Sequence, residues 1–505
     1  MSARRMALAA RVACALAMLA GTATAGAGEG EPIVPRSPEP ALRMTDDPEP
    51  PSPGERFTAF EEDPFDTRAR LAPAAHALPG DAAAAACAGA GLPAQPLSLA
   101  AAIDLALCNS PLIRSAWAAI EVQAAGVGVA KAAYLPQLSA GLSRTSDRTV
   151  YPGIGHQRST LVGNGSNAGL TWRLFDFGGR DAERLSAEDL LDAAISSHDA
   201  AIQKALETVV GAYFDTQSAL AALDAKVAGE GLARDTLEAA RRREARGAGS
   251  QSETLQAAAS LARASLDRSR AHGDLSKSFA ELTYALGLPP ETRYQLAPDL
   301  ADETHDLGPA LEQWLADAQR LHPSILAARA QLDAARRKVD ATQAEGRPTL
   351  DASVNFYRNG RPSQGLPALQ TTERVVALTL TIPLFDGFAN KYKLRGAKAE
   401  VAQKEADLDD LSHQVLLDVL KAHADAVAAL DNLELSQALL TASQNALESV
   451  QRKFDRGASD IVDLLNAQAA LADARQQRVR SLAEWRSARL RLMASAGILG
   501  HAALR

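Results

Sequence analysis

Asp176 and Asp386 sit 210 residues apart (386 − 176 = 210) in two near-copies of one run, Leu174-Phe175-Asp176-Phe177-Gly178 and Leu384-Phe385-Asp386-Gly387-Phe388. Two carboxylates related by a duplication invite a reading as an acid–base pair. Each, however, stands where a short alternating segment gives way to more than a hundred residues without proline. A carboxylate there caps a helix or favours its dipole. The rest of the chemical inventory is equally sparse. The nine histidines are scattered, with no His-Glu-x-x-His and no Cys-x-x-Cys, so no metal site is expected. Gly163-Asn164-Gly165 is expected in a loop rather than between a strand and a helix, so it is no phosphate cradle. The chain does not read as an enzyme, and no cofactor is expected.

The elements around the aspartates are more telling. Pro111 and Pro323, Pro136 and Pro348, and Leu138 and Leu350 correspond at an offset of 212. Beyond the Leu-Phe-Asp joint the offset is 210, through Gly247 and Gly457, Leu255 and Leu465, and Gly287 and Gly497. So constant an offset marks an internal duplication. The two-residue difference is assigned to a loop between Arg144 and Ser166. Each repeat reads as a helix of about 25 residues, two strands, a very long helix, a tight turn and a returning helix of about 35.

In the strands Leu138, Ala140 and Leu142 alternate with Ser139 and Ser143, and Leu170, Trp172 and Leu174 with Gly169, Thr171 and Arg173. In the second repeat Leu350, Ala352, Val354 and Phe356 oppose Asp351, Ser353 and Asn355, and Val376, Leu378, Leu380 and Ile382 oppose Ala377, Thr379 and Thr381. Segments of about ten residues with this period suit membrane strands. A soluble sandwich would need a second sheet over the apolar face. Lipid can cover that face only if the sheet closes. Four strands cannot close around a lumen, so several copies of the chain are expected to combine.

The proline-free stretches carry apolar residues at 3.5–3.6-residue spacing, as packed helices do. A stretch of this length, Gly178 to Ala245, would extend roughly 100 Å. A cytoskeletal coiled coil explains that period but not the strands. Both long helices end at glycine turns, Arg246-Gly247 and Arg456-Gly457, with Ser250 and Asp460 placed to cap the helices that follow.

Bulk properties agree. The chain has 505 residues, 4% aromatic content and a formal charge of −8, which gives no support to nucleic-acid binding. Arg241-Arg242-Arg243 and Arg336-Arg337-Lys338 fall within helical segments and read as solvated faces. Residues 1–25 carry early arginines, an apolar run and Ala23-Thr24-Ala25, the pattern of a cleaved secretory signal. Export would place Cys87 and Cys108 in an oxidising compartment, where a disulfide between them is permitted. Residues 26–96 hold most of the 25 prolines and read as an extended or disordered arm. The repeats are bounded at 97–290 and 311–499, with a connector at 291–310 and a tail at 500–505.

These residues resemble the TolC-like outer-membrane channel family, through the duplication, the Leu-Phe-Asp joints and the run Asp460-Ile461-Val462-Asp463-Leu464-Leu465-Asn466-Ala467-Gln468 after Arg456-Gly457. Ala106-Leu107-Cys108-Asn109-Ser110-Pro111 is similar to the type I secretion branch, which includes the exporter of adenylate cyclase haemolysin. The resemblance implies a mixed α and β fold: a homotrimer whose twelve strands form one barrel in the outer membrane, continuous with a helical tunnel across the periplasm. It implies a periplasmic adaptor docking at the hairpin tips (Arg246, Gly247, Arg456, Gly457) and an inner-membrane ABC transporter or proton-driven pump. Protein secretion is the expected role and multidrug efflux the alternative. The family closes its inner end with inward-coiling hairpins and acidic side chains, and Glu253 and Asp463 match two of these. Asn466 stands where a second ring acid would be. Phe454 and Ser459 replace a tyrosine and an arginine that latch the closed tip. Three copies of Asp463 around a pore would attract cations. Arg246 and Arg456 read either as favouring the helix C-termini through the dipole or as supplying a cationic latch to Glu253 or Asp463. Phe175, Gly178, Phe385 and Gly387 complete the expected barrel-to-helix joints, where outer-membrane lipid ends.

Overall fold

A computed structural model describes residues 63–67, 96–151, 157–297, 307–358, 371–456 and 458–498. The expected signal sequence, Cys87, Gly457 and the 500–505 tail lie outside the described residues. Along the chain run α1 (Leu99–Asn109), α2 (Pro111–Ala132), β1 (Gln137–Tyr151), β2 (Gln157–Phe175), α3 (Gly179–Ala245) and α4 (Gln251–Ala285). The same order then recurs as α5 (Leu311–Leu321), α6 (Pro323–Glu345), β3 (Thr349–Arg358), β4 (Thr372–Thr381), α7 (Ala389–Asp455) and α8 (Ile461–Ser495). Helices α3 and α7 both have 67 residues, and α4 and α8 both have 35, so the duplication survives in three dimensions.

The four strands form one antiparallel sheet in the order β1-β2-β3-β4. Its register lines up the alternating residues: Leu138 pairs with Leu170, Leu170 with Val354, and Val354 with Val376. One face is therefore apolar in every strand and bare in this chain, with Leu142 90% and Val376 79% exposed. The other carries Ser139, Gly169, Asn355 and Val375, and its charged pair, Arg173 and Asp351, is bonded at 3.0 Å. The expected loop at 144–166 is a correction. Strands β1 and β2 continue their ladder to Tyr151 and Gln157, and Gly163-Asn164-Gly165 lies inside β2. Serines, threonines and glycines at 143–146 and 159–166 lack the apolar alternation that marks a strand in sequence, yet the ladder itself satisfies their backbone groups.

Helix α3 packs against α2, α4, α6 and α8, while α7 packs against α6 and α8. Two glycines show how the shorter helices meet end to end. Gly287, at φ +68°, follows α4, and a Cβ there would lie 2.7 Å from the Asn109 carbonyl oxygen at the α1–α2 corner. Gly497, at φ +73°, follows α8, and its Cβ would lie 2.8 Å from Pro323 Cδ at the start of α6. At that level α1 buries Ile103 and Ala106 against Ile202, Leu206, Val209 and Tyr213 of α3 and Leu282 of α4. The Tyr213 hydroxyl donates to the Leu97 carbonyl, and Leu97 pairs in parallel with Leu296. Helix α5 sets Trp314 and Ala318 against Val415 and Val419 of α7 and Leu492 of α8.

One short piece of the proline-rich arm departs from the expectation of disorder. Asp63–Thr67 forms a turn in which Asp63 Oδ1 accepts from the Thr67 amide and hydroxyl. Thr67 is buried, and its Cγ2 lies beside Gly128 of α2. Among the described residues no helix is long and apolar enough to cross a membrane.

Candidate functional site

The two joints have a common backbone. Phe177 and Gly178 both have positive φ (52° and 90°), and so do Gly387 and Phe388 (67° and 69°). Two successive left-handed residues explain why phenylalanine and glycine exchange places between the repeats: glycine takes either position without cost, and one phenylalanine is held there by packing. The rings pair edge to face, Phe175 with Phe177 at 4.8 Å and Phe385 with Phe388 at 5.2 Å. The formal helix caps are Gly178 and Phe388 rather than the aspartates. The aspartates still serve the first turn, because Asp176 Oδ2 accepts from the Arg180 amide (3.1 Å) and Asp386 Oδ2 from the Asn390 amide (2.7 Å).

The first joint holds a residue that the sequence reading missed. The Arg180 guanidinium binds Asp176 Oδ2 at 2.7 Å and donates to the carbonyls of Arg173, Ala133 and Leu174, with its Cζ 4.9 Å from the centre of the Tyr134 ring. Its counterpart at offset 210 is Asn390, so the second joint has no such clamp. The signal was available as a cation four residues after Asp176, but it was absent from the duplicate.

At the far end, α3 and α7 turn back into α4 and α8. Ser250 Oγ accepts from the Glu253 amide and Asp460 Oδ1 from the Asp463 amide, so both turns are capped as their residue types require. Gly247 has φ +70°, and Arg246, a half-helical C-cap, precedes it. Asp463 and Asn466 are exposed and Glu253 half-buried. Asp463 Oδ2 accepts from the Ser459 hydroxyl at 2.8 Å, so the residue that departs from the family pattern holds the neighbouring acid.

Within one chain the latch expected from Arg246 or Arg456 is not formed. Both are exposed, and among the described residues neither is paired with Glu253 or Asp463. The contact between the hairpins comes from Arg243, whose Cζ lies 4.7 Å from the centre of the Phe454 ring. Phe454 is buried with Leu237, Ala240, Ala257, Ile461 and Leu464, drawn from both hairpins. Slightly above, the Gln468 amide donates to Thr236 Oγ1 at 3.1 Å. Arg246 and Arg456 are the exposed C-caps of α3 and α7, whereas Arg243, in the last turn of α3, reaches Phe454 of the other hairpin. The solvated face expected of Arg241-Arg242-Arg243 holds for Arg241 and Arg242 but not for Arg243, because a triple-arginine run conceals which member turns inward.

Cys108 is disulfide-bonded. Among the described residues no group of histidine, cysteine and acidic side chains could hold a metal ion.

A sheet with one apolar and one polar face, continued by paired hairpins of about 100 Å, defines a subunit of an outer-membrane channel. A family model described as "Outer membrane efflux protein" matches residues 102–288 and 314–498, one match per repeat. The chain belongs to that family, and it is an outer-membrane protein reaching into the periplasm. It is 37% identical over 414 residues to Protein CyaE of Bordetella pertussis, covering 81% of this chain and 85% of that protein. It is 24% identical over 262 residues to the alkaline protease secretion protein AprF of Pseudomonas aeruginosa, covering 51% and 54%. The outer-membrane channel CmeC of Campylobacter jejuni has the same fold, with a TM-score of 0.70 at 16% identity over 80% of this chain and 86% of that one.

Proposed function

We propose that this chain is the outer-membrane exit duct of a tripartite secretion system. Three copies join their four-stranded sheets into one twelve-stranded barrel, and their hairpins form a tunnel that receives a protein from a periplasmic adaptor and an inner-membrane transporter. The observation that carries this reading is the sheet: its apolar face is bare, and β1 and β4 each have one unpaired edge. Such edges are not tolerated in lipid, so closure by further copies satisfies both the edges and the face. Helix α7 supports the same arrangement, because Leu417, Leu435 and Leu439 remain exposed along it and suit a neighbouring helix. Similarity to a protein named for protease secretion favours protein cargo over small-molecule efflux. The narrow end is the hairpin tip, where Arg243 and Phe454 join the hairpins and Asp463 faces solvent. A disulfide between Cys87 and Cys108 would tie the arm to the end of α1.

Purified protein in planar bilayers tests the duct. Cation-preferring conductance steps from a particle of three copies are expected. A monomer without conductance would overturn it.

A further inference from the structure

The outer end of the sheet carries a pattern that a duct alone does not require. On the apolar face, successive rows along the strands run Trp172, Ala352 and Leu378; then Leu138, Leu170, Val354 and Val376; then Ala140, Ala168, Phe356 and Arg374. The next row is Leu142, Ser166, Arg358 and Thr372, and beyond it come Arg144 with Asn164, Ser146 with Val162, and Arg148 with Thr160. The continuous apolar band therefore gives way on its own face to arginines interspersed with polar residues and single valines, at the end of the sheet away from the helices. All four arginines are exposed, and none has an acidic partner among the described residues. Glu373, an acid adjoining Arg374, stands opposite Tyr357 in the alternate register and so on the other face. On that other face Arg173 is paired with Asp351. In a chain of formal charge −8, these four arginines, without an acidic partner among the described residues, concentrate positive charge at the edge of the apolar band.

We infer that Arg144, Arg358 and Arg374, with Arg148 beyond them, form a site for the phosphate groups of glycolipid headgroups in the outer leaflet of the membrane. This rests on reading the apolar face as the lipid-facing wall of the barrel. The rows holding Arg374, Arg358 and Arg144 span roughly 14 Å along the strands, and roughly 10 Å in depth at the usual tilt, comparable with a headgroup layer. Arg374 Cζ lies 5.8 Å from the centre of the outward Phe356 ring, which places the cation at the upper edge of the apolar band. The guanidinium fork matches phosphate oxygens in a bidentate way that a lysine does not. The longer first hairpin has a role in this picture. It carries Arg144 and Arg148 past the end of β3, to the level of headgroup sugars and phosphates.

Native mass spectrometry of the full-length protein tests the site, with lipid A as the phosphorylated glycolipid, phosphatidylcholine as neutral control and inorganic phosphate as competitor. Wild type should bind lipid A in preference to phosphatidylcholine, and inorganic phosphate should not displace it. The triple variant R144Q/R358Q/R374Q should bind on the order of a hundredfold more weakly, about fivefold per arginine. E373Q, on the other face, should bind as wild type does. If the triple variant does not assemble, R144Q and R358Q alone should each lose about fivefold. Unchanged binding by the arginine variants, or displacement by inorganic phosphate, would overturn the site while leaving the barrel intact. Absence of wild-type protein from the outer-membrane fraction would instead overturn the barrel reading on which the site rests.

Discussion

Arg243 of the first hairpin lies with its Cζ 4.7 Å from the centre of the Phe454 ring of the second. The contact joins two segments that have no covalent link near the tip, and it uses a ring and an arginine rather than a carboxylate. Phe454 is 9% exposed, so most of its contribution is burial, with the cation adding about 0.5–1 kcal/mol. Phe454→Ala should loosen the tip by about 3 kcal/mol and raise single-channel conductance in planar bilayers, while Arg243→Gln should have a smaller effect in the same direction. Equal conductance in wild type and Phe454→Ala would remove this pair from the entrance.

Asp463 bears on selectivity rather than closure. Its side chain is exposed and held by Ser459, so three copies at a narrow entrance would favour cations. Asp463→Ala should lower the cation preference measured from reversal potentials in a salt gradient. Ser459→Ala should lower it less, because the carboxylate remains while its position loosens. An unaltered reversal potential for Asp463→Ala would place the residue away from the ion path.

The stacked helix ends give a stability test with an internal control. Gly497→Ala must place a Cβ against Pro323 at a left-handed backbone position, and Gly287→Ala faces a backbone carbonyl. Each should cost at least about 2 kcal/mol and lower the heat-dissociation temperature of the assembled protein. Gly273→Ala, within α4 and with open space around it, should instead stabilise by about 0.5–1 kcal/mol. Similar temperatures for all three would contradict the end-to-end packing.

His322 gives the fold a pH dependence. Its Nδ1 accepts from the Ser324 amide at the start of α6, and burial lowers its pKa, with Asp418 opposing the shift. A histidine whose folded pKa lies below its unfolded value of about 6.5 contributes stability above that value. The contribution is lost as pH falls through 6.5 toward the folded pKa. Heat dissociation should therefore occur at lower temperature at pH 5.5 than at pH 7.5. His322→Asn, which keeps a capping acceptor without the titration, should flatten that difference. A pH dependence equally steep in His322→Asn would assign it to other groups.

Much of the fold was legible because its signals repeat. The period-two segments around Leu138 and Leu350 appear in register in one sheet, and the glycines that mark the duplication, Gly287 and Gly497, prove to be helix-end contacts. What was illegible depended on long-range partners. Residues 144–151 and 157–166 read as a loop because their side chains do not alternate, yet pairing between strands fixes them. Arg180 and Arg243 looked like ordinary helix-surface arginines, since nothing in their local spacing shows that Tyr134 or Phe454 lies beside them. The acids at the tip were found by resemblance, whereas Ser459, which holds Asp463, had been noted only as a departure.

The central claim is export of a protein, and a deletion strain tests it most directly. Proteins in the culture medium should be compared between parent, deletion strain and complemented strain, with drug sensitivity measured alongside. The account predicts that at least one exported protein disappears from the medium on deletion, returns on complementation, and that drug sensitivity is little altered. An unchanged set of exported proteins together with marked drug sensitivity would contradict it and assign the duct to efflux.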